Sequence, residues 1–154
     1  MSTFERTEKG QVVIRDARII YRNFTGEKRP FNNEGERNFC VIIDDNDVAK
    51  QMSDEGWNVK IKAPRNDEGE PFYFVQVKVN YKAPPRLRPE IYAVTRHNRR
   101  LLDEGNVAEL DSANIEKIDL LINPRVKEDG GLKAYCQEMY VTIREGFFAN
   151  EYDS

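Results

Sequence analysis

Strand signals dominate this chain, as apolar runs and as stretches where apolar and polar residues alternate with a two-residue period. Val12 to Phe24 forms one long β-like run. A loop from Thr25 to Glu36, rich in Gly, Asn, Pro and charge, separates it from an apolar strand over Arg37 to Asp44. Asn46 or Asp47 then offers an N-cap for a short helix over Val48 to Glu55, stopped by Gly56. Trp57 to Ala63 and Pro71 to Lys82 alternate cleanly on either side of a turn at Pro64 to Glu70, which predicts a hairpin. Ala83 to Pro89 holds three prolines, which remove donors and fix φ, and reads as an extended basic loop. Ile91 to Thr95 is a short strand, and Asp103 to Ala113 is helical despite Gly105. Ile115 to Val126 and Leu132 to Arg144 form a last hairpin around the turn Lys127 to Gly131. Many short strands with one or two short helices predict a mainly β fold. The expected form is an OB-like (oligonucleotide-binding) five-stranded barrel with an extra hairpin. One domain is expected over residues 1–146, followed by a short acidic C-terminal tail, 147–154.

The alternation also sorts side chains by face. From Phe72 to Lys82, one face carries Tyr73, Val75, Val77, Val79 and Tyr81, a core pattern. The other carries Phe72, Phe74, Gln76, Lys78, Asn80 and Lys82. In the partner strand Trp57, Val59, Ile61 and Ala63 share a face, leaving Asn58, Lys60 and Lys62 opposite. If both apolar faces turn inward, four lysines lie beside two phenylalanines on the outside. Rings can stack on bases and lysines can neutralise phosphates, so Lys60, Lys62, Phe72, Phe74, Lys78 and Lys82 are candidate nucleic-acid contacts. A second cluster lies in the first run and its loop, where Arg18, Arg22 and Phe24 share a face with Ile20. An Arg-Asn-Phe triplet occurs at Arg22 and again at Arg37, on either side of a glycine-bearing loop that contains Phe31. Phe39 reads as an anchor of that loop; Arg18, Arg22, Phe24, Phe31 and Arg37 join the candidates.

Charge sharpens this reading. The 154 residues carry a net charge of only −3, yet residues 57–100 hold ten Lys/Arg against four Asp/Glu. Residues 101–154 hold five against twelve. A basic middle beside an acidic final third suggests a surface meant for a polyanion. Its densest part contains Arg86, Arg88, Arg96, His97, Arg99 and Arg100, and the five arginines complete the candidate list. No stretch approaches the ~18 apolar residues of a membrane span, and Met1 to Arg6 lacks the apolar run of a signal peptide. A cytoplasmic location with no membrane partner is the expectation. Cys40 and Cys136 are isolated and read as small buried hydrophobes, with a disulfide between them left open by the sequence, and one histidine with two distant cysteines argues against zinc.

The set formed by Gly56 to Lys60, Val75 to Val79, Lys133 to Tyr135 and Met139 to Ile143 resembles the small single-stranded DNA-binding proteins of tailed-bacteriophage and prophage replication modules. The resemblance runs from Val12 to Ile143. It implies an OB-fold barrel that coats single strands during DNA replication and recombination in a bacterial host. It also implies no cofactor and contact with replication or recombination proteins. Glu151, Tyr152 and Asp153 are a weak version of the acidic tail that recruits partners in that class.

Asp44, Asp45 and Asp47 form a carboxylate cluster that could hold a divalent ion in a nuclease, but a cap for the following helix is the simpler use. No P-loop, nucleophile elbow, Cys–His pair or dinucleotide fingerprint is present, so the expectation is a non-enzyme without metal. The rival reading is a phage structural or inhibitory β-domain whose basic face meets an acidic protein. RNA as the ligand and a homo-oligomer both stay open at the level of sequence.

Overall fold

The computed structural model describes residues 2–30, 32–63 and 69–145. The expected tail at 147–154 and most of the turn at 64–70 lie outside these residues. The elements in order are β1 (Thr3–Arg6), β2 (Val12–Arg15), β3 (Ile19–Asn23), β4 (Arg37–Ile43), α1 (Asn46–Asp54), β5 (Val59–Lys62) and β6 (Phe72–Val79). A 3-10 turn at Pro85–Leu87, β7 (Glu90–Val94), β8 (Arg99–Leu102), a second 3-10 turn at Val107–Asp111, β9 (Ile115–Val126) and β10 (Leu132–Ile143) complete them.

The long first run is not one straight strand. Asp16 takes a left-handed φ of 54° and bends it into β2 and β3. At the bend, the Ala17 amide donates to the Ile118 carbonyl of β9, while the Arg18 carbonyl accepts from Ile42 of β4. The two halves therefore serve two neighbours: β2 pairs antiparallel with β9, and β3 pairs antiparallel with β4. β4 pairs with β6, β6 runs parallel to β10, and β10 pairs antiparallel with β9. The pairing path thus returns to its start through the bend, a five-membered, mainly β, OB-like circuit. β1 extends it beside β2, β5 lies beside the first half of β6, and the β7–β8 pair lies beside the second half of β10.

Alternation supplies the core. Val75, Val77 and Val79 of β6 and Ile118, Leu120 and Ile122 of β9 are buried. On β10 the register shifts between Cys136 and Glu138, which resets the alternation so that Cys136, Met139 and Val141 all point inward. Met52 and Ala49 of α1 are buried, as is Trp57 beyond it, and Val107 and Leu110 of the second 3-10 turn are fully buried.

Three local expectations change. The cap of α1 is Asp45, not Asn46 or Asp47: its Oδ1 accepts from the amides of Asp47 and Val48 at 3.0 and 3.2 Å. The helix expected over Asp103–Ala113 shrinks to the 3-10 turn at Val107–Asp111, because Asp103 Oδ1 takes the amides of Gly105 and Asn106 and shapes a turn instead. β1 and β8 were not foreseen; both are four-residue edge strands.

Candidate nucleic-acid interface

β6 is flanked by β5 on one side and β4 on the other, and residues opposite each other in paired strands share a face. Lys62 lies opposite Phe72 and Lys60 opposite Phe74. From the other side Ile42 lies opposite Phe74, Cys40 opposite Gln76 and Asn38 opposite Lys78. The inward positions between them, Val41, Val75 and Val77, are buried, so this second set is the outer face. Phe72 and Phe74 are half-buried, with ring centroids 6.0 Å apart and planes at 48°.

Tyr21 joins them, a residue the sequence reading did not select. It sits at φ 54° where the β3–β4 register breaks between Ile20 and Asn23, and it is 47% exposed. Its ring meets Phe74 edge-on at 6.0 Å. Lys62 Nζ donates to the Tyr21 hydroxyl and lies 5.0 Å from the ring centroid. Phe72, Phe74 and Tyr21 therefore form a row of rings bordered by Lys60 and Lys62. Cys40, on this face but covered, adds no charge to it at neutral pH. Burial pushes its thiol up to about 11, partly offset by the Lys60 ammonium.

Three earlier candidates have other employment. Phe24 is fully buried and stacks on Phe39 at 5.4 Å, so its ring belongs to the core and has no face to offer a base. Arg22 donates through Nη1 to the carbonyls of Leu110 and Ala113, both at 2.9 Å, tying β3 to the second 3-10 turn. Arg37 donates to the Phe24 carbonyl at 3.0 Å, pairs with Glu104 at 3.6 Å and keeps only 17% of its side chain exposed. Arg18 is exposed on the bend. Phe31 lies outside the described residues.

A row of half-exposed rings edged with lysines on an OB-like sheet suits a single strand whose bases are free to stack. The family model described as "Putative phage ssDNA-binding domain" matches residues 1–154, the whole chain. The chain belongs to this family. No curated protein and no solved structure matches it.

The other candidates fall in two further places. Lys78 and Lys82 continue along β6 into a groove that also receives Tyr135, the parallel-register neighbour of Lys78. Arg86, on the proline-rich loop, lines the next part of that groove. Arg88 is exposed and donates Nε to the Ala83 carbonyl at 2.8 Å, closing the loop on itself. Arg96, Arg99 and Arg100 lie elsewhere, on the β7–β8 hairpin. Arg96 pairs with Glu145 at 3.8 Å and Arg100 pairs with Glu109. Arg99 lies 5.3 Å from the Tyr92 ring and donates to the Tyr140 hydroxyl at 3.2 Å. Tyr140 is five positions along β10 from Tyr135, about 17 Å at strand rise. The basic stretch of the sequence is thus divided between two surfaces.

Two of the carboxylates near α1 accept backbone amides. Asp45 caps the helix, and Asp44 Oδ2 accepts from the Ser2 amide at 3.2 Å. Among the described residues no three His, Cys, Asp or Glu side chains come together as metal ligands. No helix among them is long and apolar enough to cross a membrane.

Proposed function

We propose that this domain coats single-stranded DNA without sequence preference, as a non-catalytic component of phage DNA replication or recombination in the host cytoplasm. Bases stack on Phe72 and Phe74, with Tyr21 extending the row, while Lys60, Lys62 and Lys78 neutralise phosphates. One observation carries this reading: the cross-strand register sets Lys60 against Phe74 and Lys62 against Phe72 on the outward face of β6. A sheet face needed only for solubility has no use for two adjacent half-exposed phenylalanines, whereas a stacking surface requires them.

The test is fluorescence anisotropy of labelled oligo-dT with the native protein and with Phe72→Leu and Phe74→Leu. Leucine keeps the apolar contact with the sheet and removes the aromatic face. Each substitution is expected to cost about 1–3 kcal/mol of binding free energy, with thermal unfolding little changed. Native affinity should be far weaker for a duplex of equal length, because paired bases cannot be splayed onto the rings. Unchanged affinity in the Phe72→Leu/Phe74→Leu double variant would refute the stacking mechanism.

A further inference from the structure

Beyond the platform lies a groove of about 850 Å³ between the proline-rich loop and the β9–β10 sheet. Lys9, Lys82, Arg86 and Arg125 line it, and no carboxylate does among the described residues. In a chain with 27 acidic and 24 basic residues, four cations and no acid among the described residues of one groove is a strong local bias. Lys9 and Arg125 come from the two acidic thirds of the sequence, so the fold, not local composition, assembles this set. Tyr135 forms part of the wall, and the Arg125 guanidinium lies 5.6 Å from its ring centroid. The neighbouring groove along β6, by contrast, includes Glu34, Glu36 and Glu104.

We propose that this groove is a second subsite for the same single strand, holding the nucleotides that leave the Phe72–Phe74 platform. It rests on the platform reading. The route between them is the outer face of β6: Gln76 and Lys78 lead to Lys82, and Tyr135 stands beside Lys78 in register. Arg86, Lys9 and Lys82 take phosphates, and the Tyr135–Arg125 pair offers a ring and a guanidinium plane to a base. The loop is held for this role from below. Gln11 donates to Asn123 at 2.6 Å, Asn123 donates to Gln137, and Gln137 Nε2 lies 3.4 Å from the carbonyls of Arg86 and Arg88.

The experiment compares oligo-dT of about five and about ten nucleotides, within the usual range for one OB-like unit. It uses the native protein, Arg86→Gln/Arg125→Gln and Phe72→Leu/Phe74→Leu. Both arginines are exposed, so folding is not at stake. The native protein is expected to bind the longer strand at least about tenfold more tightly, with a steeper salt dependence. In Arg86→Gln/Arg125→Gln that length advantage should collapse, and the log–log salt slope on the longer strand should shrink by about 0.7 for each phosphate contact removed. Equal losses on both lengths would indicate a general charge effect and overturn the subsite. So would full retention of the length advantage. If the phenylalanine variant binds both lengths normally, the platform reading fails instead, so the two failures are distinguishable.

Discussion

A guanidinium on a strand can hold a phosphate or the protein's own carbonyls, and its surroundings decide which. Arg22 takes the second course: it satisfies two carbonyls at the end of the second 3-10 turn, and Asp111 in that turn returns the favour by accepting from the amides of Phe24 and Thr25 at 2.7 and 3.0 Å. Arg22→Met should therefore cost about 1.5–3 kcal/mol of stability in urea unfolding, the range for hydrogen bonds to a charged group. Its affinity for oligo-dT, measured on folded protein, should stay within about twofold, because the guanidinium is committed to those carbonyls and not to the row of rings. A large loss of affinity with unchanged stability would return Arg22 to the interface. The partners of Arg22 lie 88 and 91 residues away, and for that reason its role was not legible in the sequence. Its neighbour Phe24 was misread for the same reason, since the ring it stacks on is fixed only when the 24–36 loop closes. Gly26 permits that closure: it sits at φ +74°, and a Cβ there would come within 3.2 Å of the Gly35 backbone.

At the scale of elements, strict alternation was readable and its interruptions were not. The inner and outer faces of β6 follow directly from its period-two pattern, and pairing with β5 in the expected sense then sets the lysines beside the phenylalanines. The bend at Asp16 and the register break that turns Tyr21 outward depend on which strands lie alongside, information a single run does not contain. The same limit applied to α1, where three nearby acidic residues and an asparagine all suit an N-cap. Asp45 takes the role, so Asp45→Ala should lower stability by about 0.5–2 kcal/mol. Melting curves with and without Mg²⁺ provide the counter-test. Coincident curves for native protein and variant fit a cap alone, whereas a Mg²⁺-dependent rise lost in Asp45→Ala would revive the metal site.

Two buried thiols and the part-buried Tyr81 hydroxyl give the stability of the molecule a definite pH dependence. Cys40 is 7% exposed and its thiol is pushed up to about 11 by burial. Cys136, 2% exposed, and Tyr81 are raised further, again chiefly by burial. A raised acid holds its proton in the folded state after the unfolded chain has released it, so its contribution is complete below the unfolded value. That contribution falls away as pH climbs through the folded one. For Cys40 the window opens near the ordinary thiol range and ends at about 11. The loss is about 1 kcal/mol by about pH 10 and about 2 kcal/mol by about pH 11, to which the other two groups add. Arginine stays charged throughout this interval, so the groove keeps its Arg86 and Arg125 while the barrel beneath it weakens. Urea midpoints should therefore fall steadily above about pH 9, and loss of oligo-dT binding in alkali should track unfolding. Cys40→Ala isolates one group: its stability profile should be flatter than the native one over that window, by an amount matching the thiol's share. A parallel profile would mean that Cys40 ionises alike in the folded and unfolded chain, and that the alkaline weakness comes from other groups, Cys136 and Tyr81 among them.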